Sequence, residues 1–381
     1  MLRFFTSEKR TSQQWQAIQW HSEVWHLQSG EVNADEREVR RREGLMRKAF
    51  ITGISGQDGS YLAEYLLAEG YAVHGMVRQN SSGLYGWATH VEANLIEKGQ
   101  LTLHVGDLLD YGSLDRLVRS IQPDEIYNLA AQSHVGHSFG LAGYTATTTG
   151  LGALNLLEVI RNSNQAIRFY QAGSSEMFGN SATQTQDEST PFNPQSPYAA
   201  AKVYAHQSVL QYRNSYGIHA SNGILFNHES PRRSPEFVTR KVTKAVAEII
   251  AGSRSNLTLG NLSSSRDWGY APEYVAAMHM MLQRDEPDDI VVATGNTHTV
   301  EELCQVAFGL VGLEWRDYVL SDSALYRPSE VHRLCGNAEK AHNLLGWQPK
   351  TSFEDLIAHM LNADLERAGV SMRVSSSSLS S

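Results

Sequence analysis

In PYAAAKVYAHQ a tyrosine stands four residues ahead of a lysine, so that Tyr198 and Lys202 share one face of a helix. A phenol is a poor base at neutral pH, but a neighbouring ammonium, or a cationic ring brought alongside, lowers its pKa enough for it to take a proton from a hydroxyl being oxidised. Upstream, the apolar run AIRFYQAGSSEMFG closes on Ser174, Ser175 and Glu176. A hydroxyl there can hydrogen-bond a substrate oxygen beside the phenol. Hydride transfer alone has no need of Glu176, yet a carboxylate is what removes a proton from a carbon next to a new ketone; its ordinary alternative is a helix cap or a solvated acid. A YxxxK pair is a weak signal by itself, since most such pairs are an aromatic and a stem on a packed helix.

A second constellation gives the pair a context. In ITGISGQDGSYLAEYLL, Gly53, Gly56 and Gly59 fall between a predicted strand and a predicted helix. This is the spacing of a tight turn, a close backbone approach to pyrophosphate and a tight helix–sheet contact, with the helix N-terminus facing the anion. At the end of the next strand, where an acid would bind the ribose 2'-hydroxyl of NAD, the chain has Arg78, which suits a 2'-phosphate and therefore NADP. Asp107 closes the third strand, as an adenine contact or a helix N-terminal acid. The small residues from Asn128 to Val135 end the fourth, as a nicotinamide-side wall requires.

The elements that must carry these residues follow from periodicity. KAFIT, YAVHGMV, QLTLHVGD, DEIYNLAA and AIRFYQAGS are apolar runs separated by helical stretches, which predicts a parallel sheet covered on both faces. After about residue 226 the rhythm breaks into basic and aromatic loops mixed with helices. The expected class is α/β: a doubly wound parallel sheet, NAD(P)-binding and Rossmann-like, with a smaller interleaved substrate-binding α/β lobe. The expected divisions are a poorly ordered extension over 1–46, a cofactor domain over 47–226, a sugar-nucleotide lobe over 227–368 and a Ser-rich tail over 369–381. A chain of 381 residues, 41% hydrophobic and 19% charged, can bury a large core. Its net charge of -9 argues against a general nucleic-acid surface. Two cysteines, Cys304 and Cys335, without CxxC spacing, predict no disulfide framework and no metal site. With no membrane-length apolar run and no secretory h-region, the expected compartment is the cytoplasm.

Together, GxxGxxG at 53–59, SSE at 174–176 and YxxxK at 198–202 resemble the extended short-chain dehydrogenase/reductases. The longer strings FNHESPRR, FVTRKVT, LGNLSSSRDWG and RPSEV narrow the resemblance to the GDP-mannose 4,6-dehydratases, over about residues 47–368. The resemblance implies a lyase that oxidises C4 of GDP-mannose, eliminates water across C5 and C6, and returns the hydride to C6. The product would be GDP-4-keto-6-deoxymannose, a first step toward GDP-fucose or another GDP-deoxyhexose. It implies Ser174, Glu176, Tyr198 and Lys202 as catalytic residues. For NADP it implies Gly53, Ile54, Ser55, Gly56, Gln57, Asp58, Arg78, Asp107, Leu108, Leu129, Ala130, Ala131, Gln132, Ser133, Tyr144, Tyr198, Lys202, His228 and Arg233. For GDP-mannose it implies Ser175, Asn227, Val238, Lys241, Arg266, Arg327 and Glu330. A homodimer or homotetramer is implied as well, with RQNSSGLYGWATH reaching a neighbouring cofactor, and neither nucleic acid nor membrane as partner. The chain departs from the family at Ser174, where Thr is usual, and at Gln79, where a second Arg is usual. A 4-epimerase or 4-keto reductase would need Tyr198 and Lys202 but no base at Glu176, and a non-catalytic NADP-binding regulator would need neither.

Overall fold

In the computed structural model the described residues are 46–78, 100–163 and 166–377. The expectations for the N-terminal extension up to residue 45, for Gln79 and the loop that follows it, and for the last four residues of the tail lie outside them.

Each apolar run named above becomes a strand. They are β1 (Lys48–Thr52), β2 (Ala72–Val77), β3 (Leu101–Val105), β4 (Glu125–Asn128) and β5 (Arg168–Ala172). The chain continues through β6 (Ala220–Leu225), the short strands β7 (Asn227–Glu229), β8 (Leu257–Leu259), β9 (Ser265–Arg266) and β10 (Trp268–Tyr270), and β11 (Asp289–Val292). Seven of these form one sheet in the order β11-β6-β5-β4-β1-β2-β3, and every pairing in it is parallel. The order reverses between β1 and β4, and a ligand crevice opens at the carboxyl ends of strands at such a point.

Local sequence fixes the main helices. α1 (Gln57–Ala68) runs to Glu69 and stops at Gly70, whose φ of +85° lets Tyr71 N–H turn back to the Leu66 carbonyl at 2.9 Å. α2 (Tyr111–Ile121) is capped by Asp110, which accepts from Ser113 N–H. α3 (Gly152–Asn162) follows a π-helical turn. α4 (Pro197–Tyr216), which carries the Tyr/Lys pair, opens on a Ser196 cap with Pro197 in its first turn and ends at Gly217, φ +67°. α2, α3 and α4 pack side by side on one face of the sheet over Phe50, Ile126, Leu156, Phe169 and Val209. α1 packs against a later helix that also contacts β5 and β6.

Beyond β7 a second core forms. α5 (Val238–Ile250), α6 (Ala271–Gln283, the helix that α1 meets), α7 (Val300–Gly309) and α8 (Phe353–Arg367) follow in order. Val242 and Val246 of α5, Leu303 and Phe308 of α7, and Ile357 and Leu361 of α8 pack with Leu257 and Trp268. A third cluster, Met177, Phe178, Ile224, Phe226, Val291, Val331 and Leu334, joins sheet residues to later ones. From Arg47 onward the described residues gather into one compact unit. Both cysteines are free and buried, and no helix among the described residues is long and apolar enough to cross a membrane.

Leu361 is fully buried in the second core, so Leu361→Ala should cost about 2–5 kcal/mol. The check is a lower urea midpoint at unchanged slope.

Candidate active site

β1, β4 and β5 end side by side, and a buried chain of polar groups crosses them. The Thr52 hydroxyl donates to Asn128 Oδ1 at 2.7 Å, and Asn128 Nδ2 donates to Gln171 Oε1 at 2.8 Å. Gln171 Nε2 donates to the Ala172 carbonyl at 3.0 Å, and Lys202 Nζ donates to the same carbonyl at 2.7 Å. Lys202 is thereby held by the sheet. Burial pulls its ammonium down to about 8, against the opposing pull of Asp58, so its charge is lost from about pH 8 upward. Nζ lies 5.8 Å from the centre of the Tyr198 ring. Burial pushes the Tyr198 phenol up to about 12, although the Ser174 hydroxyl bonded to it and the Arg233 charge work the other way. The Tyr/Lys couple expected from spacing is thus a buried pair beside Ser174.

Glu176 lies in the short turn Ser175–Met177 after β5, where the Ser174 hydroxyl accepts its N–H at 3.3 Å. Its carboxylate is 3.7 Å from Arg266 Nη2 and 3.6 Å from Arg327 Nη1. Arg266 is fixed by its own bonds to the carbonyls of Ser265 and Val331, both at 2.9 Å. The turn itself is anchored by Met177 and Phe178 in the third cluster. The structure therefore gathers Ser174, Glu176, Tyr198, Lys202, Arg233, Arg266 and Arg327. Two further residues expected to touch the sugar nucleotide lie beside these. Ser175 is buried to 1% exposure. Glu330 accepts the Arg327 backbone N–H at 2.8 Å, which shapes the loop that presents Arg327.

The glycine turn has the shape its spacing predicts. Gly53 has φ +73°, and a side chain there would meet the Ala130 backbone at 2.8 Å; one at Gly59 would meet the Gly53 carbonyl at 2.3 Å. Gly56 is exposed at the start of α1, where no side chain caps the helix. Gly56 N–H closes the turn on the Gly53 carbonyl at 2.9 Å, and the first-turn N–H groups of a helix that follows such a turn fit a dinucleotide diphosphate. Ile54 is buried, Ser55 half-buried, and Leu129, Ala130, Ala131 and Gln132 are half-buried beyond β4, with Ser133 exposed. Arg78, exposed at the end of β2, donates to the Tyr144 hydroxyl, which unites two residues expected at one cofactor site. Asp107 accepts the Leu109 N–H at 2.9 Å, and Leu108 is buried.

Asp58, Gln57 and His228 brace this turn from within. His228 Nε2 is 2.9 Å from Asp58 Oδ2, and its Nδ1 is 2.8 Å from the Phe226 carbonyl. Gln57 donates to Asp58 and to the His228 carbonyl, and accepts from Ser230. Burial would raise the Asp58 carboxyl, but the charge and hydrogen bond of His228 hold it at about 2. Burial would lower His228, but Asp58 holds it above its ordinary value. Asn227 and Val238 lie at the start of β7 and of α5. Lys241 donates to the Thr258 carbonyl at 2.9 Å in a cavity of about 760 Å³, shared with Arg254, Asn256, Leu257 and Leu325, that none of the catalytic residues lines. Sequence reading took Asn128 only as part of a wall of small residues and passed over Gln171. The available signal was a polar residue inside an apolar strand, which must find a partner once buried.

With this geometry in hand, comparison with known proteins is direct. The sequence matches the family described as GDP-mannose 4,6 dehydratase over residues 50–360. It is 53% identical over 326 residues to GDP-mannose 4,6 dehydratase 1 of Arabidopsis thaliana, covering 84% of this chain and 90% of that one. It is 46% identical over 339 residues to the Homo sapiens GDP-mannose 4,6 dehydratase, covering 84% and 91%. Among solved structures, a dTDP-glucose 4,6-dehydratase from Streptomyces venezuelae with NAD and TYD bound superposes with a TM-score of 0.74 at 24% identity, over 84% of this chain and 98% of that one. RMD from Pseudomonas aeruginosa complexed with NADPH superposes with a TM-score of 0.69 at 24% identity, over 84% and 100%.

The Asp58–His228 pair makes stability depend on pH. Because the folded His228 pKa is raised, its contribution is complete below its unfolded value and is lost as pH rises through the folded one. Because the folded Asp58 pKa is lowered, its contribution is present above its ordinary value of 3.8 and is lost as pH falls toward about 2. The melting temperature of the protein minus that of His228→Gln should therefore be largest between about pH 4 and 6.5, shrinking on both sides.

Proposed function

The chain belongs to the GDP-mannose 4,6-dehydratase family, and on that premise we propose how its residues remove water from GDP-mannose. The glycine turn, Arg78 and Lys202 would hold a nicotinamide cofactor, which would supply the hydride acceptor for C4 and the hydride donor for C6. Tyr198 takes the O4 proton as C4 is oxidised, with Ser174 bonded to the same oxygen and Lys202 keeping positive charge beside the phenolate. The resulting 4-ketone acidifies the C5–H. Glu176 removes that proton and passes it to the C6 hydroxyl, which leaves as water. As hydride is regained at C6, C5 takes up one proton, balanced by the O4 proton that Tyr198 gives up, so the product is GDP-4-keto-6-deoxymannose and cofactor and enzyme end as they began.

The observation that carries this reading is the position of Glu176. A carboxylate on the same strand end as Ser174, next to the buried Tyr198, equips the site for elimination. Arg266 and Arg327 suit the sugar-nucleotide diphosphate, and their place at Glu176 sets the sugar against the base. Lys241, in its own cavity, serves the nucleoside end. The cofactor is NADP on the strength of Arg78, whose guanidinium would pair with a 2'-phosphate. Residues 47–226 hold the cofactor and 227–368 mainly the sugar nucleotide.

Purified protein incubated with GDP-mannose and catalytic NADP+ should yield a nucleotide sugar lighter by one water with no net NADPH. An isomer of unchanged mass would identify an epimerase, and unchanged substrate with tight NADP binding a non-catalytic binder. Glu176→Gln should slow dehydration by about 10²- to 10⁴-fold while leaving NADP binding intact. Dehydration at the wild-type rate would remove Glu176 from its role.

A further inference from the structure

The segment from Ser230 to Phe237 joins β7 to α5 and carries Arg233 into the site. The Arg233 guanidinium is 3.1 Å from Glu229 Oε2 and 3.7 Å from the centre of the Phe237 ring. Its charge is felt at both Asp58 and Tyr198. Behind the segment stands Arg240, on the first turn of α5 and 6% exposed. Arg240 Nη1 donates to the Pro231 carbonyl at 3.0 Å and to the Arg233 carbonyl at 2.9 Å. Its Nε lies 2.9 and 2.6 Å from the two carboxylate oxygens of Asp364 in α8, itself 3% exposed. Asp364 also accepts from the Thr243 hydroxyl at 2.8 Å and from Arg367 Nη1 at 3.1 Å, and Arg367 Nη2 donates to the Pro231 carbonyl at 2.9 Å.

A buried Arg–Asp pair is weak evidence for stability, because an apolar pair of similar size often serves as well. What an apolar pair cannot do is aim a planar fork at two backbone carbonyls of one loop. We infer that Arg240, oriented by Asp364, is a positioning residue for the reaction: it sets the Pro231 and Arg233 carbonyls and so keeps the Arg233 side chain at the cofactor and Tyr198. The inference rests on the reading of Arg233 as a cofactor-site residue. It makes α8, whose helix contributes none of the site residues above, a determinant of how tightly the enzyme keeps a cofactor that must stay bound through both hydride transfers.

The test is NADPH affinity, by fluorescence titration of the full chain, together with melting temperature. Arg240→Lys keeps a charge for Asp364 but cannot reach both carbonyls, and should raise the NADPH dissociation constant about tenfold. Thr243→Val removes a different partner of Asp364 without touching the loop; it should lower the melting temperature and leave NADPH affinity unchanged. Arg233→Met should weaken NADPH, and adding Arg240→Lys to it should weaken binding no further. Wild-type affinity in a folded Arg240→Lys protein, or full additivity in the double variant, overturns the anchor while the cofactor role of Arg233 stands. Wild-type affinity in Arg233→Met overturns that role and the anchor with it. Should Arg240→Lys not fold, Arg367→Gln, which strips Pro231 of one of its two donors from a partly exposed side chain, should weaken NADPH about threefold, and an unchanged affinity there overturns the inference equally.

Discussion

Asp58 stands in the first turn of the helix after the glycine turn, His228 begins the chain's departure from the sheet, and the 2.9 Å ion pair between them ties those two segments together. The tie is not a lone bridge, because Gln57 bonds the His228 carbonyl and Ser230 bonds Gln57, while the Tyr274 ring stacks on the imidazole at 4.6 Å. Partly buried charge is costly unless paired and hydrogen-bonded, and here both nitrogens of His228 have acceptors. The constraint matters because the residues on either side of it do different work. In the function proposed above, the glycine turn would take the diphosphate of a dinucleotide, and the chain beyond His228 carries Arg233 and then the arginines assigned to the sugar nucleotide. Fixing Asp58 to His228 would then fix the proposed cofactor end of the crevice relative to the start of the proposed substrate end.

Charge is distributed in the crevice with a similar economy. Lys202 is held by a chain of neutral dipoles reaching back to Thr52, which orders the ammonium without cancelling it. Glu176 has two guanidiniums within ion-pair range instead. A sugar diphosphate bound as proposed would bring two negative charges to those guanidiniums and so link Glu176 and the substrate electrostatically.

Much of this was legible before any coordinates. Strands and helices alternated by periodicity, and the spacing of Tyr198 and Lys202 placed both on one face of a helix. Tertiary partnership was not legible. Asn128 and Gln171 are visibly polar within apolar runs, but that they bond one another follows only from β4 lying beside β5. Glu176, Arg266 and Arg327 are widely separated in sequence, and nothing local says that they converge. For Ser175 and Glu330, likewise, burial in one case and a backbone bond in the other depend on a turn geometry that residue type does not specify.

The helix of Tyr198 and Lys202 touches the turn of Glu176, and the two share only part of their support. Tyr198 and Lys202 sit on a helix bedded against the sheet, while the turn bearing Glu176 is rooted, through Met177 and Phe178, among side chains such as Val331 and Leu334 that come from the far end of the chain. A change of side-chain volume at Val331 or Leu334 would therefore press on the turn of Glu176, although neither residue lies near it in the sequence.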